Sequence, residues 1–179
     1  GPGFYYVRIE ATDIGSCKGW LKAGFRQVDV TVVAERLPSR VSVPPGVQVR
    51  PFLPRDASCL CSWVGDAFVY SRFHLDPGFP LHVAGAVKRA WMEEYLAGRR
   101  ADRMWVVSKK GQAVGFLGRM RAVEGDRRVG ILDLMAVRKG EQGRGFGDAL
   151  VRHFIRDSVG SCDLLRVGTQ AANVPSLRL

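Results

Sequence analysis

The sequence lacks the features that would assign the protein to several common classes. It contains no apolar run of about 18 residues, the length that a membrane-spanning helix requires, and no recognisable signal peptide. Its four cysteines lack metal-ligand spacing, and its basic residues are scattered rather than gathered in a block of the nucleic-acid-binding type. We therefore expect a cytoplasmic protein with free thiols that binds no metal, no nucleic acid and no membrane.

Composition and charge instead indicate a globular protein that binds an anionic ligand. Of the 179 residues, 46% are hydrophobic and 25% are charged, proportions typical of soluble domains with a sizeable core. The formal net charge is +10. This excess of positive charge is as compatible with a small ligand that carries several phosphate groups as it is with nucleic acid.

The most informative stretch joins an apolar run at residues 129–137 to a helix that begins at Phe146. A loop rich in glycine and basic residues lies between them. A strand, a glycine turn and a helix N-terminus together form an anion site, because unpaired backbone N–H groups and the helix dipole point at the same place. Arg138, Lys139 and Arg144 surround that place, so we expect a phosphorylated ligand.

Two familiar phosphate loops do not fit this spacing. A dinucleotide loop, G-x-G-x-x-G, would need a third glycine after Gly143 and Gly145, where the sequence has Asp148. A P-loop ends in G-K-[ST], and no glycine in this region is followed by that pair. The pattern that does fit is Q-x-x-G-x-G, which Gln142, Gly145 and Gly147 fill.

This pattern resembles the acetyl-CoA signature of the GNAT (GCN5-related) N-acetyltransferase superfamily. A second GNAT-like motif, N-x-x-[AS], is filled by Asn173 and Ser176 after a predicted strand at residues 163–169. Two signatures in the expected order favour membership of the superfamily. The resemblance implies an α/β fold with a mixed, mostly antiparallel sheet flanked by helices, and acetyl-CoA as the cosubstrate.

Hydrophobic periodicity and proline content divide the chain into a β-α-β appendage at residues 1–36, a proline-containing linker at residues 37–46 and an α/β domain at residues 47–179. The resemblance implies that the appendage is a partial GNAT-like region and that residues 47–179 are the acetyltransferase domain. The appendage has predicted strands at residues 4–9 and 25–35 and a helix at residues 12–23. In the domain we predict helices at residues 54–68, 83–96, 146–157 and 173–179, a hairpin of strands at residues 104–108 and 113–123, and a loop at residues 71–77.

The resemblance also assigns residues to the cofactor. Pantetheine would lie where the strand at residues 132–137 splays from the strand at residues 163–169. A backbone N–H of this first strand would donate to the oxyanion, and the loop amides would hold the pyrophosphate. The side-chain amide of Asn173, at the start of the next helix, would form a hydrogen bond with the cofactor. These positions are Met135, Ala136, Val137, Gln142, Gly143, Arg144, Gly145, Phe146, Gly147 and Asn173.

Two residues are candidates for the catalytic base. Asp133 lies in the central strand and would act directly or through water, although an Asp in a strand often caps a neighbour or faces solvent. His74, in the predicted loop, is the other titratable candidate. Because this loop contains no cofactor motif, we expect Arg72 and His74 to face the substrate, the alternative being an ordinary surface loop. His82 and His153 are predicted to lie on helix surfaces.

A narrower resemblance is carried by S-R-F-H-x-D-P at residues 71–77, the hairpin that follows, and R-V-G-T-Q-A-A-N-V-P-S-L-R-L at residues 166–179. These look like the dTDP-4-amino-4,6-dideoxygalactose (dTDP-fucosamine) N-acetyltransferase-like group. The resemblance implies direct attack of the amine of an amino sugar or nucleotide amino sugar on the thioester. The general acid of that group is a Tyr that would follow Leu179 directly. We therefore expect the acid and the closing strands to lie outside these residues, and this chain alone to be a poor catalyst.

Other functions share the same cofactor loop. A protein N-terminal or other small-amine acetyltransferase would not need the N-terminal region, and a non-catalytic acyl-CoA-binding relative would not need the acid. The expected partner is a small-molecule amine acceptor, and we expect the protein to be able to form a homodimer.

Overall fold

The computed structural model describes residues 5–179. Its α-helices are α1 (Ile14–Lys22), α2 (Ala57–Ala67), α3 (Arg72–Leu75), α4 (Leu81–Leu96), α5 (Phe146–Asp157) and α6 (Val174–Leu177). Its strands are β1 (Thr31–Arg36), β2 (Gln48–Pro51), β3 (Arg103–Lys109), β4 (Gln112–Glu124), β5 (Arg127–Val137) and β6 (Leu164–Gln170). Two short 3₁₀ helices, Pro54–Asp56 and Lys139–Glu141, precede α2 and follow β5.

The six strands form a single sheet in the order β1-β6-β5-β4-β3-β2. Neighbouring strands are antiparallel except β5 and β6, which are parallel. A parallel pair needs a crossover connection, and α5 supplies it between these two strands. The predicted α/β fold, with a mixed and mostly antiparallel sheet flanked by helices, is confirmed.

Helices cover both faces of this sheet. On one face, α2 and α4 pack over a core that includes Leu60, Met92 and Phe116, all without solvent exposure. On the other face, α5 packs over Leu117, and its own buried residue Leu150 contributes to that second core. The predicted helix at residues 146–157 has the bounds of α5, since its apolar face repeats regularly over three turns.

A β-bulge interrupts the pairing of β4 with β5. Gly118 lies opposite Leu134 and Arg119 lies opposite Leu132, so Asp133 is the extra residue of the bulge. The bulge shifts the alternation of side chains by one position: Leu132 faces α5, whereas Leu134 faces α2 and α4. A bulge also bends the strand that contains it.

The bend coincides with the end of the pairing between β5 and β6. Their parallel pairs run from Val129–Leu164 to Leu132–Val167 and stop there. Beyond this point β5 continues beside β4 as far as Val137, whereas β6 continues beside β1. The sheet therefore opens between β5 and β6, as the splay expected from the resemblance requires.

The N-terminal region differs from the predicted β-α-β appendage. Residues 5–10 form no strand, because no neighbouring strand pairs with them, and residue 4 lies outside the described part of the chain. The second strand begins later than predicted, at Thr31, and joins the main sheet by antiparallel pairing with β6. The predicted helix is present as α1 and ends before Gly24, whose φ of 88° is typical of a helix C-terminal glycine.

The segment at residues 71–77 also differs from its predicted loop. It contains the single-turn helix α3, which is too short to show a helical period in the sequence. The helices α2 and α4 and the hairpin of β3 and β4 are confirmed. No helix in the region from residue 5 to residue 179 is long and apolar enough to cross a membrane.

Replacing Gly118 by Ala should destabilise the fold at the bulge. A Cβ there would overlap the ring of Tyr95, which packs on Gly118 and is 4% exposed. Overpacking of this kind costs about 1–3 kcal/mol. Chemical denaturation measures the loss, and Gly19→Ala is the control, because a Cβ on Gly19 in α1 meets open space. Equal stability of Gly118→Ala and the wild type would show that the Tyr95 ring does not depend on this glycine.

Candidate acetyl-CoA site

The loop between β5 and α5 has the backbone of an anion site. Gly143 and Gly145 have φ angles of 74° and 79°, a left-handed conformation that favours glycine. Gly145 is the N-cap of α5, and no side chain caps this helix. Within residues 5–179, no acceptor binds the amide N–H groups of residues 145–147. These amides and the positive end of the helix dipole are available to a ligand phosphate.

An ion-pair network organises the basic side chains of this loop. Glu141 lies at its centre, with Lys109 Nζ 2.7 Å, Arg144 Nε 3.4 Å and Arg138 Nη2 3.6 Å from its carboxylate oxygens. The hydrogen bond from Lys109 lowers the pKa of Glu141. The side chain of Arg144 remains 57% exposed, so it can turn from Glu141 towards a phosphate.

A basic cavity of about 650 Å³ adjoins this loop on the side of β2 and the hairpin. Arg144 and Phe146 form the wall that it shares with the loop. Its other basic lining residues are Arg50, Arg55, Lys109 and Lys110. The cavity extends the positive surface of the loop over a volume that suits a phosphate-bearing group.

The second half of β5 is the other wall of the candidate site. Met135, Ala136 and Val137 pair with β4 on one side, but on the other side they have no partner in β6. Gln142 Nε2 donates a hydrogen bond to the carbonyl oxygen of Val137, 3.0 Å away, and so ties the glycine loop to the end of β5. The open strand edge therefore leads directly to the anion loop.

A cluster of charged side chains lies at the bulge. Arg100 donates to both carboxylate oxygens of Asp133, from Nε at 2.7 Å and from Nη2 at 3.1 Å, and the hydroxyl of Tyr95 donates to the same carboxylate. Burial and the neighbouring carboxylate raise the pKa of Tyr95, so its phenol stays protonated. Asp133 is therefore bound by neighbouring side chains. This matches the structural role that the sequence analysis gave as the alternative to a catalytic base.

A model of the acetyltransferase (GNAT) family matches residues 69–179, which is more than half of the chain. The chain belongs to this family. It is therefore an acyltransferase, and the two sequence signatures are correctly interpreted at the level of the superfamily. A search of curated proteins found no match.

Solved structures share the fold of this acetyltransferase at low identity. A functionally unknown conserved protein from Staphylococcus epidermidis is 18% identical, with a TM-score of 0.63 over 94% of this chain and 63% of that one. A GCN5-related N-acetyltransferase from Sphaerobacter thermophilus is 17% identical, with a TM-score of 0.57 over 91% and 49% of the two chains. A ribosomal-protein-alanine N-acetyltransferase from Brucella melitensis is 18% identical, with a TM-score of 0.56 over 74% and 86%.

Asn173 of the acetyltransferase has partners within the protein. Its side-chain oxygen caps α6 by accepting from the N–H of Ser176, 3.4 Å away. Its Nδ2 donates to Thr169 Oγ1 at 3.1 Å. Asn173 therefore fixes the turn from β6 into α6, and its contact with the cofactor stays a prediction. A Cβ on Gly147 would meet the side chain of Leu179 at 3.4 Å, so the end of the described chain lies close to the glycine loop.

The two predicted substrate residues lie on α3. His74 Nδ1 is 2.7 Å from Ser71 Oγ, and burial, with a smaller contribution from Lys88, lowers the pKa of His74. The guanidinium of Arg72 lies 4.7 Å from the ring centroid of Tyr6 and 4.9 Å from that of Phe73. The ring centroid of Phe73 on α3 lies 6.3 Å from that of Trp91 on α4, which places α3 beside the cluster at the bulge.

The sequence interpretation missed several residues of this acetyltransferase. Lys88 and Trp91 on α4, and Arg100 after it, complete the cluster at the bulge. Only Lys88 gave a signal, because it falls four residues from both Ala84 and Met92 in a buried row of the helix. The prediction that His153 lies on a helix surface was wrong, because this residue is half-buried with its ring centroid 5.5 Å from that of Trp105. His82 is exposed, as predicted.

Metal chemistry was not expected from the cysteine and histidine spacing. Across the described part of the chain, no group of three His, Cys, Asp or Glu side chains could hold a metal ion. Cys162 is buried, and the four cysteines are free thiols.

Proposed function

We propose that the chain is an acetyl-CoA-dependent N-acetyltransferase that acts on a small amine, an amino sugar or a nucleotide amino sugar, by direct attack of the amine on the thioester. One observation carries the proposal: the uncapped N-terminus of α5 adjoins the edge of β5 that β6 leaves open. A phosphate group and a pantetheine arm therefore have adjacent places to bind, as one molecule of acetyl-CoA requires.

In this proposal the glycine loop binds the pyrophosphate of the cofactor and β5 binds its pantetheine arm. The amides of residues 143–147 hold the pyrophosphate, with the exposed guanidinium of Arg144 beside them. Pantetheine adds to the free edge of β5 by hydrogen bonds to the backbone, as an extended peptide adds to a sheet. A backbone N–H of Met135, Ala136 or Val137 then donates to the oxygen of the tetrahedral intermediate, where negative charge develops.

The transfer needs a neutral amine and a base. The amine nitrogen forms a bond to the acetyl carbon and loses a proton, the C–S bond breaks, and the sulfur gains a proton to give CoA thiol. His74 suits the role of base, because its lowered pKa keeps it neutral near pH 7. Asp133 lies in β5 itself, but its carboxylate already accepts hydrogen bonds from Arg100 and Tyr95, which supports a positioning role.

The alternative acceptor is a protein N-terminus or another small amine. One of the structures with this fold is a ribosomal-protein-alanine N-acetyltransferase, so the fold accommodates such an acceptor. The cations around α3 and α4 favour an acceptor that bears negative charge. A non-catalytic acyl-CoA-binding relative would share the glycine loop but would transfer no acetyl group.

Replacing Gly145 by Glu should abolish most of the affinity for acetyl-CoA. The substitution forces a side chain into a left-handed backbone and puts a carboxylate where the pyrophosphate is proposed to lie. We expect the dissociation constant measured by calorimetry to rise by more than about tenfold, a loss of about 1.4 kcal/mol.

The matched control is Gly19→Glu, which adds the same charge on α1 in open space. It should leave the affinity for acetyl-CoA within experimental error of the wild type. Thermal denaturation of both variants shows that they are folded. Unchanged affinity of a folded Gly145→Glu variant would exclude the glycine loop as the pyrophosphate site.

The pH dependence of turnover should identify the base. If His74 accepts the proton, the turnover number at saturating amine and acetyl-CoA falls at acidic pH with a midpoint below the ordinary pKa of histidine. His74→Gln should remove this acidic limb and lower the rate by about 10²-fold or more. Asp133→Asn should keep the limb. The opposite pattern, a limb lost only in Asp133→Asn, would assign the base to Asp133.

A further inference from the structure

Lys88 is a largely buried residue whose ammonium group contacts aromatic rings rather than a carboxylate. It lies in the middle of α4 and is 6% exposed. Its Nζ lies 3.8 Å from the ring centroid of Trp91 and 5.1 Å from that of Phe68. With the other residues from 5 to 179 it forms no ion pair and no hydrogen bond. Its Nζ is not fully enclosed, because among the described residues Trp63 Nε1 is the only buried side-chain nitrogen or oxygen without a hydrogen-bond partner. A ligand can therefore reach this ammonium group, and an anion would offset the unfavourable loss of hydration.

The surroundings of Lys88 do not supply that anion. Asp133 is the carboxylate that acts on Lys88 most strongly among the described residues, and its oxygens already accept from Arg100 and Tyr95. Arg100 and Arg72 add positive charge near the same ammonium. Burial, the largest cause, lowers the pKa of Lys88 to about 8, so near pH 7 the group still bears its charge.

The aromatic rings around Lys88 partly stabilise its ammonium group, but they do not explain why this position has a charged residue rather than an apolar one. The guanidinium of Arg100 lies 4.7 Å from the same Trp91 ring centroid that Lys88 contacts. The ring attracts both cations, yet a cation–π contact replaces only part of the hydration of an ammonium group. An apolar residue of similar size would pack against Phe68 and Trp91 without that cost. The placement of Lys88 therefore indicates a ligand group that pairs with it.

We propose that Lys88 and Arg100, which share the ring of Trp91, bind a negatively charged group of the acceptor, so that the acceptor is an amine with a phosphate or carboxylate group. The inference rests on the proposed acetyl transfer. Arg100 also binds Asp133 at the bulge, where the sheet opens, so an anion held here lies beside the proposed path of the thioester. Lys88 then contacts the acceptor through its anionic group and takes no part in proton transfer.

Stability of the ligand-free protein gives the first test. Lys88→Met keeps the length of the side chain and removes the uncompensated charge, so the melting temperature should rise by about 2–4 °C. If Lys88 instead serves only to stabilise the fold through Trp91, the melting temperature of Lys88→Met falls, and the proposal is overturned.

Acceptor kinetics give the second test. With acetyl-CoA saturating, the acceptors are glucosamine 6-phosphate, dTDP-4-amino-4,6-dideoxygalactose, muramic acid and glucosamine, which bear a phosphate, a diphosphate, a carboxylate and no anionic group. At least one anionic amine should have a KM about tenfold or more below that of glucosamine. Lys88→Met should remove this advantage and leave the KM of glucosamine unchanged, whereas Lys88→Arg should retain it. Equal changes for charged and neutral amines would contradict the proposal.

Direct binding separates this proposal from the proposed function. With the glycine loop filled by CoA, titration with inorganic phosphate, thymidine diphosphate or acetate should change the fluorescence of Trp91 in the wild type. The change should be absent in Lys88→Met and in Trp91→Phe. If acetyl-CoA binds and amines are acetylated but none of these anions alters the fluorescence, the anion site is wrong and the transferase stands. If acetyl-CoA itself does not bind, the proposed function fails.

Discussion

The carboxylate of Asp133, held by Arg100 and Tyr95, fixes the bulge on which the opening of the sheet depends. A strand that gains one residue must bend, and β5 bends where its pairing with β6 ends. Two long-range contacts to one carboxylate keep the extra residue in place. Gly118 lies across the bulge and leaves room for the Tyr95 ring, so the same short region joins α4 to the centre of the sheet. The β5 edge proposed to bind the cofactor, the cluster proposed to bind the acceptor and the packing of α4 therefore depend on the same short region.

Charge around the proposed site is divided between two clusters with different partners. At the glycine loop, Glu141 forms ion pairs with Lys109, Arg138 and Arg144. These pairs keep the three cations near the N-terminus of α5 even when no ligand is bound. At the bulge, Asp133 accepts hydrogen bonds from Arg100 and Tyr95, and the largely buried Lys88 contacts no carboxylate directly. The cations of the first cluster are positioned to bind a phosphate, and Glu141 compensates their charge when no phosphate is bound. The second retains an unfavourable charge, which is the pattern expected where a protein gives up stability for binding.

Local signals predicted much of this fold, and long-range contacts account for most of the rest. The glycine loop and α5 follow from residues close in sequence: left-handed glycines, a regular apolar face and a helix start. The hairpin of β3 and β4 follows from alternation and a turn. By contrast, the partners of Asp133 lie 33 and 38 residues away, and no local pattern connects them. The helix α3 is a single turn, and the strand predicted at residues 25–35 begins only at Thr31, where β6 pairs with it. Lys88 lies in the same row of α4 as Ala84 and Met92, but the sequence does not show which aromatic rings it contacts.

We expect one opening in the sheet, between β5 and β6, to receive the cofactor. A crystal structure of the complex with CoA tests it most directly. The account predicts pantetheine along β5 at residues 134–137, on the side facing β6, with the pyrophosphate bound by the amides of residues 143–147. A complex in which CoA lies wholly in the basic cavity beside Arg50 and Lys110, with the edge of β5 unoccupied, would contradict it.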